Sequence, residues 1–195
     1  MTVAILKYNA GNIASVQNAL SRLGADSIVT HDAIELRAAD KVIFPGVGEA
    51  STAMQYLRER GLDDVIRSLT QPVLGVCLGM QLLCASSEEN DATGLGIFAN
   101  RVRRFEGGSD LKVPHIGWNT ISNLRSELFA DVADASHVYF VHGYYVEPSS
   151  EAAAVTNYGI DFAAAIVRDN FFAVQFHPER SGAVGERILQ NFLNL

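Results

Sequence analysis

The sequence predicts an α/β fold: a doubly wound, mostly parallel sheet with helices on both faces, extended by a group of antiparallel strands. Three observations carry this. Through the first half, short runs of β-forming apolar residues alternate with stretches of helical periodicity, and such alternation implies parallel strands joined by crossover helices. In the second half, strand-like runs follow one another directly, as antiparallel neighbours do. With 195 residues and 48% apolar composition, the chain can bury one substantial core and reads as a single domain over 1–195.

Taken in order, Val3-Ala-Ile-Leu6 is a strand, and Ile13, Val16, Leu20 and Leu23 then share one helical face. Ser27-Ile-Val29 and Lys41-Val-Ile-Phe44 are strands, and Ala50 to Arg60 is helical in pattern. Pro72-Val73-Leu74 is a buried strand that leads into a helix-like stretch. From Gly94 to Trp118 the runs shorten, and Gly107-Gly108 and Pro114 point to loops and antiparallel strands. His137 to Val141, Ala152 to Thr156, Ala163 to Val167 and Phe171 to Phe176 read as consecutive strands. Val184, Ile188, Phe192 and Leu195 form the apolar stripe of a closing helix. The sequence contains no internal repeat or low-complexity segment.

Several functional classes are disfavoured by composition. A membrane span needs a run of roughly 18 or more apolar residues, and none is present. Nor is there a basic-then-apolar start of the secretory kind, so the cytoplasm is the expected location. The net charge of −7 argues against nucleic-acid binding. Arg101-Val-Arg-Arg104 is the one basic run, and it reads either as a local partner surface or as a solvated strand edge. Without a Walker-type phosphate loop or a dinucleotide fingerprint, no cofactor is expected, and no metal site is read. If the helix after the elbow is continuous, Cys77 and Cys84 are two turns and about 10 Å apart, beyond disulfide reach. Cys84 is therefore read as core packing.

Three short motifs carry chemistry. In Gly75-Val-Cys77-Leu-Gly79-Met80 the cysteine sits where a buried strand turns into a helix. Glycines on both sides permit a tight elbow, and a helix start favours the thiolate. The competing reading is a small packed hydrophobe. The run Phe171 to Phe176 leads into His177-Pro178-Glu179. Alternate residues of a strand share a face, so His177 and Glu179 project the same way, as an imidazole base and the carboxylate that orients it, and Pro178 suggests that the strand ends there. A strand-end histidine with a solvated neighbour is the alternative. Pro45-Gly46-Val47-Gly48 follows a strand, so the N–H groups of Val47 and Leu78 could together form an oxyanion hole; an ordinary turn is the alternative. On this assignment Cys77, Gly46 and His177 all lie at the carboxyl ends of strands, where open α/β sheets bind ligands.

Gly75-Val-Cys77-Leu-Gly79-Met80-Gln81 together with His177-Pro178-Glu179 resembles the class I (triad) glutamine amidotransferases, which have a flavodoxin-like fold. Pro45-Gly-Val-Gly48, Pro114-His-Ile-Gly-Trp-Asn119, Tyr139-Phe-Val-His142, Asn157-Tyr-Gly159 and Phe176-His-Pro-Glu-Arg-Ser-Gly182 narrow the likeness. They resemble the glutaminase subunits of imidazole glycerol phosphate synthases, and the match spans essentially the whole chain. The resemblance implies a Cys77, His177, Glu179 triad that hydrolyses L-glutamine through a thioester. It implies a heterodimer with a (β/α)8 cyclase subunit that takes the ammonia in histidine biosynthesis. It also implies substrate contacts from Gly46, Gly48, Gln81, Glu88, Gly143 and Tyr144. For Gln81 and Glu88 a solvated helix face is the competing reading. Asn12, Trp118, Asn119, Tyr139 and Arg180 match positions facing the partner or its ammonia passage, with core or ordinary surface roles as the alternative for each.

Some positions depart from the family pattern. Gly143 stands where Ser or Thr is more usual, leaving only backbone contact to infer there. Arg180 replaces a common Lys, and a planar guanidinium does not reproduce an ammonium contact. Lys7-Tyr8-Asn9 replaces a more acidic start. Another glutaminase of the superfamily, a γ-glutamyl peptide hydrolase, and a non-catalytic binding module on the same fold are the rival readings.

Overall fold

A computed structural model describes residues 1–9, 11–108 and 111–195. The strands are β1 (Thr2–Leu6), β2 (Asp26–Thr30), β3 (Lys41–Phe44), β4 (Val73–Val76), β5 (Cys84–Ser87), β6 (Ala92–Thr93) and β7 (Phe98–Arg104). They continue as β8 (His115–Ile121), β9 (Ser136–His142), β10 (Tyr144–Val146), β11 (Ala152–Tyr158), β12 (Ile160–Arg168) and β13 (Phe171–Val174). The helices are α1 (Ile13–Arg22), α2 (Ala33–Ala38), α3 (Ala50–Glu59), α4 (Leu62–Arg67), α5 (Leu78–Leu83) and α6 (Gly182–Asn194).

The central sheet has 7 strands in the order β11-β12-β13-β4-β3-β1-β2. From β13 to β2 every pairing is parallel, while β12 and β11 continue that edge in antiparallel sense. The mixed α/β architecture read from the sequence is thus the one observed. A 4-stranded sheet, β10-β7-β5-β6, and the β8-β9 hairpin flank it.

Alternation along the strands divides the core between the two faces of the sheet. Val3 and Ile5 of β1 join one cluster with Val16 and Leu20 of α1 and Ile188 and Phe192 of α6. Ala4 and Leu6 join the other, with Leu36 of α2, Met54 and Leu57 of α3, and Leu62 and Ile66 of α4. The strands β3 and β4 are buried at every residue, as parallel strands covered on both faces must be. Of the predicted α6 stripe, Ile188 and Phe192 are buried, whereas Val184 and Leu195 sit at its margin.

Three details differ from the sequence reading. Helix α2 lacks a long apolar stripe, burying only Leu36, and it is held instead by Asp32, whose carboxylate accepts the N–H groups of Ile34 and Glu35. Helix α5 ends at Leu83, so Cys84 begins a strand rather than a further turn of helix. Both cysteines are free and buried, and burial pushes the Cys84 thiol well up. Last, β13 ends at Val174, before His177.

Candidate active site

The neighbouring strands β3, β4 and β13 end side by side, and each releases one part of the site. At the end of β4, Cys77 has φ 53 and ψ −108, a conformation that is costly for a side-chain-bearing residue. The elbow can close because Gly79 has no Cβ: one placed there would lie 1.9 Å from the Phe44 carbonyl oxygen. The Cys77 sulfur lies 3.6 Å from the Val141 carbonyl oxygen.

The polypeptide leaving β13 reaches His177 and then a 3₁₀ turn, Pro178–Arg180. The predicted pairing of His177 with Glu179 is therefore observed, but a turn creates it, not strand alternation. Pro178 sits at the first position of that turn, where its missing N–H costs nothing. His177 Nδ1 lies 2.8 Å from Glu179 Oε1, with the two side chains 3% and 1% exposed. A carboxylate only accepts, so Nδ1 carries the proton and Nε2 is left for the sulfur. Burial opposes a charge on His177, but hydrogen bonding to Cys77 and Glu179, reinforced by their charges, lifts its pKa to about 10.

Asn12, expected at the partner surface, turns its amide onto the triad. Its Nδ2 donates to Glu179 Oε1 and lies 3.5 Å from His177 Nδ1. It holds φ 77 just before α1, a left-handed conformation that Asn tolerates better than most residues.

The N–H groups of Val47 and Leu78, expected from the sequence to form an oxyanion hole, do not converge. The Gly46 carbonyl accepts the Leu78 N–H at 3.2 Å. In a trans peptide the C=O and the following N–H point in opposite directions, so the Val47 N–H is turned away from Leu78. Tyr8 secures the loop from beneath, its hydroxyl donating to the Pro45 carbonyl at 2.7 Å. A Cβ on Gly46 would lie 2.2 Å from that hydroxyl.

A cavity of about 180 Å³ opens beside the thiol, lined by Val47, Gly48, Cys77, Leu78, Gln81, Glu89, Val141, His142 and Tyr144. Of the substrate contacts expected from the sequence, Gly48, Gln81 and Tyr144 line it. Gly46 stays behind the loop, and the Gly143 carbonyl is taken by the Phe105 N–H. Gln81 is buried rather than solvated. Both hydrogens of its Nε2 are engaged, by the Tyr144 carbonyl at 3.1 Å and by Gln175 Oε1 at 3.0 Å.

Glu88 does not face this cavity. Its carboxylate accepts the Arg104 N–H at 2.9 Å and pairs with Arg101 and Arg103, contacts that hold it below the usual carboxylate range, the Arg104 N–H foremost. It lines a different cavity of about 340 Å³, together with Phe105, Tyr145 and Ile160, which holds no triad residue. Glu89 lines the cavity beside the thiol instead, its Oε2 accepting the Ala50 N–H at 2.8 Å, and burial raises its pKa. In Glu88-Glu89 the sequence offers two adjacent carboxylates, and only the strand end at Ser87 decides which one turns inward.

At the outer edge, Trp118 is 56% exposed, so it is not a core residue. Its ring meets that of Tyr139, half-buried on the facing strand, edge-on at 5.9 Å. Arg180 is exposed. Asn119 instead faces inward, its Nδ2 donating to the Asn157 carbonyl at 2.9 Å. Among the described residues, no group of three or more His, Cys, Asp or Glu could hold a metal ion.

A doubly wound sheet that places a thiol at one strand end, and beside it an imidazole bonded to a buried carboxylate, has the layout of proteins with a cysteine triad. Within that class, the model of the family "Glutamine amidotransferase class-I" matches residues 5–195, and the chain belongs to this family. It is 58% identical to "Imidazole glycerol phosphate synthase subunit HisH" of Bacteroides fragilis, over 100% of both chains. Identity to the protein of the same name from Haemophilus influenzae is 43%, over 99% of this chain and 97% of that one. A solved glutamine amidotransferase structure superposes with a TM-score of 0.76 at 20% identity, covering 98% of this chain and 97% of that one, which is a likeness of fold.

Proposed function

We propose that residues 1–195 form the glutaminase subunit of an imidazole glycerol phosphate synthase. In this reading it hydrolyses L-glutamine and passes the ammonia to a (β/α)8 cyclase subunit in histidine biosynthesis. The names borne by its full-length relatives support the assignment. The observation that supports the chemistry is the buried 2.8 Å contact of His177 Nδ1 with Glu179 Oε1, together with the influence of Cys77 in raising the His177 pKa.

The steps follow from the groups present. The Cys77 thiolate attacks the side-chain amide carbon of glutamine. His177 Nε2 gives its proton to the amide nitrogen, the C–N bond breaks, and ammonia leaves a thioester behind. Nε2 then takes a proton from water, whose oxygen attacks the thioester and expels the thiolate, releasing glutamate. Glu179 fixes the tautomer throughout and is itself steadied by Asn12. Glu89 is suited to the substrate's α-ammonium, and Gln81 Oε1 and the backbone at Tyr144 to its other polar groups.

Stabilising the tetrahedral oxyanion requires the Gly46–Val47 peptide to rotate, freeing the Leu78 N–H and bringing in that of Val47. Docking of the cyclase against the exposed Trp118, Ile116 and Val47 is the event suited to drive it. Such coupling would limit wasteful release of ammonia. No helix among the described residues is long and apolar enough to cross a membrane, and a cytoplasmic heterodimer is the assembly proposed.

The decisive experiment is Cys77→Ala in the two-subunit complex. Glutamine-dependent synthesis should vanish while ammonia-dependent synthesis by the cyclase persists. Glutamate release surviving the substitution would overturn the nucleophile assignment.

A further inference from the structure

Gln175 is fully buried and follows the last residue of β13. Strand pairing brings it to the nucleophile: the Val174 carbonyl accepts the Cys77 N–H at 2.8 Å, which makes Gln175 and Cys77 neighbours where the two strands end. Its Nε2 lies 3.7 Å from the Cys77 sulfur, within hydrogen-bond reach for that atom.

The direction of this amide is fixed by a chain that starts at a backbone carbonyl. The Tyr144 oxygen can only accept, so the end of the Gln81 amide that meets it at 3.1 Å is the NH₂ group. The second hydrogen of that group goes to Gln175 at 3.0 Å, which therefore presents its oxygen to Gln81 and its NH₂ to the sulfur. His142 Nδ1, at 2.7 Å from the same carbonyl, also donates to it and holds it in place. The Val141 carbonyl, at 3.6 Å from the sulfur, is a seat for the thiol proton. Once that proton leaves, Val141 offers the sulfur nothing favourable, whereas the Gln175 N–H gains strength against a charged acceptor.

We propose that Gln175 is a positioning residue for Cys77. Its side-chain amide, held in one orientation by Gln81, aims the sulfur and favours its attacking, deprotonated form. This rests on the reading of Cys77 as the nucleophile. It also gives Gln81 a role distinct from substrate contact, as the group that prevents the Gln175 amide from flipping.

The test is alkylation of the full-length chain by iodoacetamide across pH, with the label located at Cys77 rather than Cys84 by peptide mass spectrometry. No glutamine is needed, so the outcome is independent of whether Cys77→Ala abolishes glutaminase activity. In Q175M, alkylation at pH 7 should slow about tenfold, with the half-plateau pH moving up by about one unit. Gln81→Met should shift it the same way, and the double variant should add little, since both act through one path. In the complex, Q175M should lower kcat for glutamine while KM stays near its original value. An unchanged rate and pH profile in Q175M would overturn the proposal. Should Q175M fail to fold by its melting transition, Q175L, an apolar side chain without a donor, takes its place under the same criteria.

Discussion

The Gly46 carbonyl occupies the Leu78 N–H at 3.2 Å, and this one bond keeps the Val47 and Leu78 N–H groups from converging. In the proposed reading Cys77, His177 and Glu179 supply the nucleophile, base and orienting carboxylate, and the donors that would stabilise the charge they create have still to be brought together.

The isolated chain should therefore hydrolyse glutamine slowly. Adding the cyclase subunit with its ligand should raise kcat by at least about 10²–10³, the effect of a single oxyanion donor, since the Leu78 and Val47 N–H groups are both gained. Glutamate release with and without the partner measures it, and equal rates would contradict a gated loop.

The two adjacent carboxylates should separate cleanly on substitution. Glu89→Gln should raise KM for glutamine about tenfold, because a charge-assisted contact to the ammonium is lost, with Cys77 alkylation little altered. Glu88→Gln should leave KM alone, since its carboxylate serves Arg101, Arg103 and Arg104. The opposite pattern would return the substrate contact to Glu88.

Acid should destabilise the fold through a buried imidazole pair. His115 Nδ1 and His142 Nε2 meet at 3.0 Å, and burial lowers their pKa values to about 4 and about 3. Unfolded histidines titrate near ~6.5, so below that pH the unfolded chain binds more protons and stability falls, by up to ~1.4 kcal/mol per pH unit for each ring. His177, raised to about 10, acts in the other window: its contribution is complete below ~6.5 and fades as pH rises through 10. Thermal melts at pH 7.5 and 5.5 should show a lower Tm at the acid value, and His142→Asn should flatten the dependence. A Tm that does not fall on acidification would refute neutral burial.

Gly79→Ala tests the elbow. A methyl 1.9 Å from the Phe44 carbonyl forces α5 away from β3, an overpacking cost of about 1–3 kcal/mol. A chain of this size loses roughly 2–4 °C of Tm for each kcal/mol, and glutaminase activity should drop with it because α5 carries Leu78 and Gln81. A Tm and activity equal to the parent's would show that the contact can relax.

Much was legible in the sequence because it is written in local patterns. The strand runs, the elbow glycines and the Cys77 and His177-Pro-Glu179 motifs are properties of neighbouring residues, and the wound sheet follows from their alternation. Where chain direction depends on distant contacts, the sequence was silent or misleading. Glu88 and Glu89 are chemically identical, and the end of β5 turns the second one inward. His177 and Glu179 meet on a 3₁₀ turn because β13 stops early. Asn12 touches Glu179 across 167 positions of sequence, and Gln175 touches Cys77 across 98. The orientation of the Gly46–Val47 peptide is set by the Leu78 N–H, 32 positions away. Sequence determined which groups could react. Tertiary packing decided which way each one points, because a hydrogen bond depends on orientation that composition and spacing do not carry.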